Sequence, residues 1–294
     1  MSTATSVQKR RRVSKRVDTR PGGIGRTPFS YFWLIILGIF AGLPLLVLIF
    51  NSLKSDVELG RNPLGFPRTF DFANFSTAWV QGSLGQGLLN SLILVVGTVL
   101  GVWICAGMAS YALARLDLPL RRVFGTYFFV VISLPVQLFI VPLFFLWSKL
   151  GLINTLPGLI IIYVALNTPF ATLLLRTFLV GIPRELDEAA RIDGANEWQI
   201  ATRVILPLSL PGFLTIGLVV GLAAYNELLF AVTFITNPTQ MPIATAFLQF
   251  SQGHTQLFGL VNAAGVIMIV PVVILFLIMQ RRFISGLANG GLKG

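Results

Sequence analysis

The chain has 294 residues, of which 55% are hydrophobic and 11% are charged, with a mean hydropathy of +0.81. Ordinary soluble domains carry about 25% charged residues, so this composition excludes a water-soluble domain and predicts a polytopic membrane protein. The net charge is +11, and eight of the 22 basic residues lie within the first 26 positions, a placement that argues against nucleic-acid binding.

Two residue types that occur once each limit the chemistry further. Cys105 is the one cysteine, so no disulfide can form within the chain. His254 is the one histidine, which excludes every metal site built on several histidines. We therefore expect no catalytic residues and no metal ligands, and we expect His254 in a solvated loop.

A basic tail and six apolar segments follow one another along the chain. Residues 1–29 form the predicted tail, and residues 30–280 form the predicted membrane domain, which is all-α because a spanning helix needs roughly 20 apolar residues. The predicted spans are 31–53, 88–112, 124–148, 157–178, 208–234 and 258–280. Prolines within these spans predict kinks, although proline is in any case commoner in spanning helices. They are Pro135, Pro142, Pro169, Pro211 and Pro271.

The basic residues are unequally divided between the two sides of the membrane. With six spans both termini lie on one side, and that side holds 18 of the 22 Lys and Arg side chains. Short loops rich in Lys and Arg stay in the cytoplasm, so both termini are predicted to be cytoplasmic. Residues 54–87 and 237–256 then form two external loops. The first mixes turn formers with aromatics, which suits folding at the interface or contact with an external partner.

The predicted cytoplasmic loop between spans four and five, residues 181–207, holds five of the 11 acidic residues. Gly194 suits the position just after a helix, and a second short helix is predicted from 196 to 205. Asp187 and Arg191 lie four residues apart, which suits an ion pair. Two short helices joined by a glycine turn favour a protein-docking knob over an inert connection, which would need only a handful of residues.

This loop also carries a family motif. Glu188-Ala189-Ala190, then Gly194 after three residues, then Val204-Ile205-Leu206-Pro207 after nine more resemble the EAA signature of importer permeases, E-A-A-x3-G-x9-I-x-L-P. Val204 replaces the usual Ile and keeps a β-branched side chain. Four other segments are similar to sequences of the same family, namely Asn74-Phe75, Asn90-Ser91, Ser110-Tyr111-Ala112-Leu113-Ala114-Arg115 and the terminal stretch from Arg281 to Gly294. From about residue 30 to the end, the chain is similar to the smaller permease of carbohydrate-uptake ABC importers of the maltose-transporter type.

The resemblance implies the type I ABC importer permease fold with six transmembrane helices, and a loop that couples it to an ATPase. In this family the loop forms a coupling helix that sits in a cleft of a cytoplasmic ATPase subunit, where Glu188 would be the acidic contact. The implied coupling residues are Arg184, Asp187, Glu188, Ala189, Ala190, Asp193 and Gly194. The implied partners are a second permease, an ATPase dimer, an extracytoplasmic sugar-binding protein and membrane lipid, without nucleic acid.

ATP hydrolysis is expected from another polypeptide. A phosphate-binding loop needs the pattern G-x4-G-K-[ST]. Gly286 and Gly291 have the glycine spacing, but Leu292 occupies the position of the Lys. ATP and Mg²⁺ are therefore expected as cofactors of the partner ATPase and none in this chain. Residues 281–294 form the predicted cytoplasmic C-terminal tail. Its part from Ser285 to Gly294 resembles tails that reach between two ATPase subunits, although its glycines also fit a disordered end.

One acidic residue, Glu227, lies within a predicted span. An ionisable group at mid-bilayer costs about 2.5–3.5 kcal/mol, so its side chain should face the protein interior or water. Both a pathway-lining role and a structural hydrogen bond within the bundle are open. The candidate substrate-pathway residues are Gln137, Asn167, Tyr225, Asn226 and Glu227.

These features indicate one permease subunit of an ATP-driven importer for a disaccharide or oligosaccharide in the bacterial inner membrane. The alternative is the same type of importer for a polyol or a glycerol phosphate. An intramembrane enzyme would need a catalytic constellation, which one histidine, one cysteine and one carboxylate within the spans do not offer. A membrane scaffold without transport would not require kinked spans or a coupling loop.

Overall fold

The computed structural model describes residues 28–255 and 257–291. Nearly all of the predicted basic tail, residues 1–29, lies outside the described residues, as do residues 292–294 of the predicted C-terminal tail. The described part of the chain forms α-helices with short 3₁₀ and π turns and contains no strand. It divides into two units with the boundary between residues 46 and 47, so the first helix belongs to both.

Thirteen α-helices occur among the described residues. The first seven are α1 (Pro28–Ser52), α2 (Asp56–Arg61), α3 (Ala73–Gln81), α4 (Leu84–Arg115), α5 (Arg121–Ser133), α6 (Ile140–Lys149) and α7 (Leu156–Val180). The remaining six are α8 (Glu185–Ile192), α9 (Glu197–Gln199), α10 (Leu206–Asn226), α11 (Leu229–Phe234), α12 (Ile243–Gly253) and α13 (Phe258–Gly291). A π turn, Ile200–Ile205, joins α9 to α10 without a break, and a 3₁₀ turn, Val136–Phe139, precedes α6.

Five of these helices are long and apolar enough to cross a membrane, namely α1, α4, α7, α9–α10 taken as one, and α13. A sixth candidate is the pair Arg121–Ser133 and Val136–Lys149, which is bent by 86°. The prediction of an all-α protein is confirmed, and the six predicted spans are present if this bent pair counts as one span. The kink predicted at Pro135 is also present, as the break within the third span. Pro135 lacks an N–H and disfavours helical backbone at Leu134, which is extended with φ −78° and ψ 135°. The other prolines of the spans lie within helices that continue past them.

The fifth span begins and ends earlier than the predicted 208–234. Its helix incorporates the short helix predicted at 196–205 and stops at Asn226. Glu227 is extended, with φ −70° and ψ 121°, and the separate helix α11 follows. Glu227 therefore lies at a break between two helices and not inside a spanning helix. Local hydrogen bonding of its side chain, described below, competes with continuation of the helix.

Helix α4 lies at the centre of the bundle in the second unit. Buried side chains recur along it at four-residue spacing, and Leu94, Val102 and Ala106 pack against apolar side chains of α7 and α10. At Gly97 an added Cβ would come within 2.6 Å of Ile160 Cδ1. Small residues at such positions let membrane helices approach closely, so α4 and α7 are held at short range.

The two segments predicted as external loops are folded into helices α2, α3 and α12. The N–H of Ile243, the first residue of α12, donates to Ser91 Oγ on α4 at 2.9 Å. His254, expected to be solvated, is instead half-buried, and its ring stacks on Phe250 with centroids 4.3 Å apart. The apolar side of α12 is buried against the bundle, which draws the end of the segment inward.

Candidate functional site

Helix α8 begins the 181–207 loop, and its first turn is acidic. Glu185, Asp187 and Glu188 lie there, where the helix dipole stabilises negative charge. The backbone N–H groups of Asp187 and Glu188 donate to the carbonyl of Arg184 at 2.9 and 3.2 Å, so Arg184 is the N-cap residue. The sequence thus favours a helix that starts at this point.

The end of α8 is a Schellman motif. The N–H of Gly194 donates to the carbonyl of Arg191 at 3.0 Å, and that of Ala195 donates to the carbonyl of Ala190 at 2.9 Å. Gly194 has φ +83°, a conformation that glycine adopts without strain. The glycine turn predicted between two short helices is therefore present.

The second arm of the loop starts with a capping box. Asn196 Oδ1 accepts from the N–H of Gln199, and Gln199 Oε1 accepts from the N–H of Asn196, both at 2.9 Å. From there the helix continues through the π turn into α10. The second arm is a rigid extension of the fifth span.

The inner side of the loop is packed on the bundle. Ile200 and Ile205 are 0% and 1% exposed, and they lie in one apolar cluster with Leu179 of α7 and Phe213 of α10. Full burial of such a side chain contributes about 1.5–3 kcal/mol. The loop is consequently a fixed protrusion of the spans and not a swinging connection.

The opposite side of α8 is exposed. Its members recur at helical spacing and are Glu185, Glu188, Ala189 and Ile192, which we call the outer face of α8. Ile192 is 86% exposed, and Trp198 at the start of the second arm is 71% exposed. Carboxylates beside large exposed apolar side chains form a surface suited to contact with another protein.

Arg115, the last residue of α4, lies between the loop and α7. Its Nη1 donates to Asp187 Oδ2 at 3.2 Å, and its Nη2 donates to the carbonyls of Leu179 and Ile182 at 2.8 and 2.9 Å. The side chains of Arg115 and Asp187 are 1% and 5% exposed. This buried, charge-assisted contact holds α8 against the ends of two spans.

The predicted ion pair between Asp187 and Arg191 is wrong. Arg191 donates instead to Glu197 Oε1 through Nε and Nη2, at 3.0 and 2.8 Å, and this hydrogen bond raises the pKa of Arg191 above its ordinary value. Tyr111 donates its hydroxyl to Glu197 Oε2 at 3.1 Å. Asp187 and Arg191 lie about one helical turn apart, but Asp187 faces the bundle, where its Oδ2 accepts from Arg115 Nη1.

Arg115 and Tyr111 were not assigned to the site from the sequence. One feature of the sequence could have indicated them, namely the segment that ends α4. This segment resembles the family's sequences, and it places an arginine at the end of a 32-residue apolar helix. Two predicted residues, Arg184 and Asp193, lie exposed at the start and end of α8, and Arg184 Nη2 is 3.5 Å from the carbonyl of Ala114.

Two of the five candidate pathway residues meet through Tyr163 of α7. The hydroxyl of Tyr163 donates to Glu227 Oε2 at 2.7 Å, and Asn167 Nδ2 donates to the carbonyl of Tyr163 at 2.8 Å. The N–H groups of Phe230 and Ala231 also donate to the Glu227 carboxylate, at 3.0 and 3.1 Å. The side chain of Glu227 therefore caps α11 and ties it to α7.

The other three candidates are not brought together with that group. Tyr225 donates its hydroxyl to the carbonyl of Met268 in α13 at 2.7 Å. Asn226 is exposed, and its Nδ2 donates to the carbonyl of Leu222 in its own helix at 2.9 Å. Gln137 is exposed in the 3₁₀ turn at the bend of the third span. The pathway role of the five residues stays a prediction.

The chain is similar to permease components of known transport systems. A family model described as "Binding-protein-dependent transport system inner membrane component" matches residues 103–288, which include Arg115 and the 181–207 loop. The sulfoquinovosyl glycerol transport system permease protein of Agrobacterium fabrum is 36% identical, and the match covers 89% of this chain and 91% of that protein. The diacetylchitobiose uptake system permease protein of Streptomyces coelicolor is 33% identical, with 89% and 87% covered. The trehalose transport system permease protein of Mycobacterium tuberculosis is 31% identical, with 90% and 97% covered.

Solved structures share the fold. A chain from the crystal structure of a bacterial ABC transporter involved in the import of the acidic polysaccharide alginate superposes with a TM-score of 0.75. It is 25% identical, and the match covers 87% of this chain and 96% of that one. A chain from the bacterial alginate ABC transporter in complex with an alginate pentasaccharide-bound periplasmic protein superposes with a TM-score of 0.64 at 17% identity.

Proposed function

Because the chain belongs to the family of binding-protein-dependent transport system inner membrane components, we propose that it is one permease subunit of an ATP-driven importer for a disaccharide or oligosaccharide. Three relatives serve transport systems for diacetylchitobiose, sulfoquinovosyl glycerol and trehalose, and each of these solutes contains a sugar unit. The similarity to a chain of an alginate importer supports the same class of substrate.

The observation that carries the proposal is the outer face of α8. Glu188 presents an exposed carboxylate, the small Ala189 permits close approach, and Ile192 offers apolar surface, while the inner side of the loop is fixed to the bundle. We assign this face to a cytoplasmic ATPase. Arg184, Asp193 and Gly194 bound the helix on either side. Asp187 and Ala190 lie toward the bundle and hold the helix in position.

We also propose an orientation of the chain in the membrane and a set of partner chains. The 181–207 loop and both chain termini lie in the cytoplasm of a bacterial cell, where the ATPase dimer binds ATP and Mg²⁺. A second, homologous permease supplies the other half of the pathway. An extracytoplasmic sugar-binding protein delivers the solute, in keeping with the family's description as binding-protein-dependent. Closure of the ATPase dimer displaces α8, and the spans respond by alternating access.

The pathway residues are part of the same proposal. Gln137 and Asn226 carry exposed amides, which can bond sugar hydroxyls, although Asn226 Nδ2 also donates to the carbonyl of Leu222. Asn167, Tyr225 and Glu227 are less exposed and are engaged by backbone or side-chain partners. Gln137 and Asn226 flank the breaks in the third and fifth spans. Breaks of this kind are tolerated in membranes where the backbone is buried in protein or lines a water-filled cavity.

Reconstitution tests the proposal directly. The complex is purified with its partner chains, placed in proteoliposomes and supplied with the binding protein and ATP. Uptake is then measured for labelled disaccharides, trisaccharides, polyols and glycerol 3-phosphate. We expect uptake of a di- or trisaccharide that requires both ATP and the binding protein. Uptake without ATP, or uptake limited to the polyols or to glycerol 3-phosphate, would contradict the proposal.

A further inference from the structure

Arg115 closes a buried joint between three parts of the chain, which are the end of α4, the end of α7 and helix α8. Nη1 holds Asp187 Oδ2 at 3.2 Å, while Nη2 holds the carbonyls of Leu179 and Ile182 at 2.8 and 2.9 Å. Both charged side chains are almost fully shielded from solvent. One guanidinium group therefore fixes α8 to two spans at once.

The joint is not optimised for stability alone. Arg115 Nε and Asp187 Oδ1 are buried atoms without a hydrogen-bond partner among the described residues. Replacement of a buried ion pair by well-packed apolar side chains is often neutral or stabilising. An apolar joint, however, has no directional bonds and permits sliding, whereas the planar guanidinium fixes the direction of each contact. The arrangement favours a role in positioning.

We propose that Arg115 is a positioning residue that passes the displacement of α8 to α4 and α7, so that both spans move with the loop. This inference rests on the proposed function, since the displacement comes from an ATPase docked on the outer face of α8. Asp187 lies on a different side of α8 from that face, so it connects the docked helix to the guanidinium. Without the joint, the loop keeps only its apolar packing on the bundle, and the spans follow the displacement of α8 less closely.

The second ion pair of the loop differs in kind. Arg191 Nη2 and Glu197 Oε1 are 2.8 Å apart, but the two side chains are 44% and 50% exposed. Water weakens such a pair, and both partners belong to the loop itself. It shapes the turn between the two arms, and through the exposed hydrogen bond from Tyr111 to Glu197 it reaches α4 but not α7.

The test replaces Arg115 by lysine. Lysine keeps the charge, but its single nitrogen lacks the planar fork that reaches Asp187 and the two carbonyls together. Solute uptake and ATP hydrolysis are measured on the same proteoliposomes, with the binding protein present and normalised to assembled complex. We expect the number of solute molecules moved per ATP to fall about tenfold in Arg115→Lys. Asp187→Asn, which keeps the size and one acceptor oxygen, lowers the same ratio.

Trp103→Phe is the matched control. The Nε1–H of Trp103 donates to the carbonyl of Phe213 at 3.0 Å and links α4 to α10 away from the loop. Its loss weakens packing of the same helix without touching the joint. We expect Trp103→Phe to keep the wild-type number of solute molecules moved per ATP.

Two outcomes would overturn the positioning role of Arg115. A wild-type ratio in Arg115→Lys overturns the inference. Failure of both Arg115→Lys and Asp187→Asn to assemble, where Trp103→Phe assembles, also overturns it, because the pair would then serve only to hold the fold. A wild-type complex that does not import solute contradicts the proposed function instead, so the two failures are distinguishable.

Discussion

Glu188 combines negative charge, exposure and a fixed backbone on the outer face of α8. We predict that Glu188→Lys lowers ATP-dependent uptake about tenfold or more, because a reversed charge at a protein contact opposes docking. Membrane insertion should be unchanged, since the side chain does not pack on the bundle. Uptake and ATP hydrolysis in proteoliposomes provide the measurement.

Asp117→Lys is the control for this change of charge. Asp117 is exposed in the connection between α4 and α5, on the same predicted side of the membrane but outside the 181–207 loop. It should keep wild-type uptake. Equal uptake by Glu188→Lys and Asp117→Lys would remove the assignment of Glu188 to the docking surface.

Gly194 tests the turn between the two arms. An added Cβ there meets nothing within 4 Å, so the effect of Gly194→Ala comes from its φ of +83° alone. We expect a loss of about 1–2 kcal/mol in local stability, because L-residues disfavour the left-handed region. Gly60→Ala, in open space within α2 and without a left-handed φ, should instead stabilise by about 0.5–1 kcal/mol. Thermal unfolding of the purified complex measures both, and a shift in the same direction would contradict the turn geometry.

At the scale of elements, the break between α10 and α11 depends on Glu227. Its carboxylate accepts from two backbone N–H groups of α11 and from the hydroxyl of Tyr163, which is 1% exposed. We predict that Glu227→Ala destabilises the protein by about 1–3 kcal/mol, because it leaves the buried hydroxyl unpaired and removes the cap. Tyr163→Phe should cost less, since the carboxylate keeps its backbone donors.

Denaturant unfolding in detergent checks this order. Tyr127→Phe, at a tyrosine of α5 that is 59% exposed, should change the free energy of unfolding by less than about 0.5 kcal/mol. If Glu227→Ala altered uptake but unfolded like Tyr127→Phe, Glu227 would line the pathway and would not hold α11.

Among these elements, the sequence could predict the features that depend on local interactions, but not those that depend on residues distant in the sequence. Apolar length predicted the spans, and the glycine at 194 predicted the turn, because both signals are local. The bend of 86° at Pro135 could not be predicted from the proline alone, because other helices of this chain continue past their prolines. The stop at Glu227 has no glycine or proline to mark it. The partner of Asp187 lies 72 residues away in the sequence, so helical spacing pointed to the nearer Arg191.

At the scale of the whole molecule, the described chain leaves much apolar helix surface uncovered. Helix α5 has no buried residue, and large side chains such as Phe129 and Leu138 are 64% and 70% exposed around the bend of the third span. Under the proposed function, this surface contacts lipid or the second permease. A kinked pair of helices with this much exposed apolar surface is better suited to a subunit interface than to a lone monomer, because a second chain can satisfy its freed backbone groups.

Orientation is the property of the whole molecule on which the assignment of α8 to a cytoplasmic ATPase depends. The excess of basic residues on one side predicts that the α4–α5 connection faces the cytoplasm and that residues 54–87 face outward.

Cys105 is exposed, so Cys105→Ser provides a background without reactive thiols. In that background, Leu64→Cys should react with a membrane-impermeant maleimide added to spheroplasts, since Leu64 is 78% exposed and lies in the predicted external segment 54–87. Asp117→Cys should react only in inverted vesicles. The reverse pattern would place the outer face of α8 outside the cell, where no ATP-driven partner could reach it.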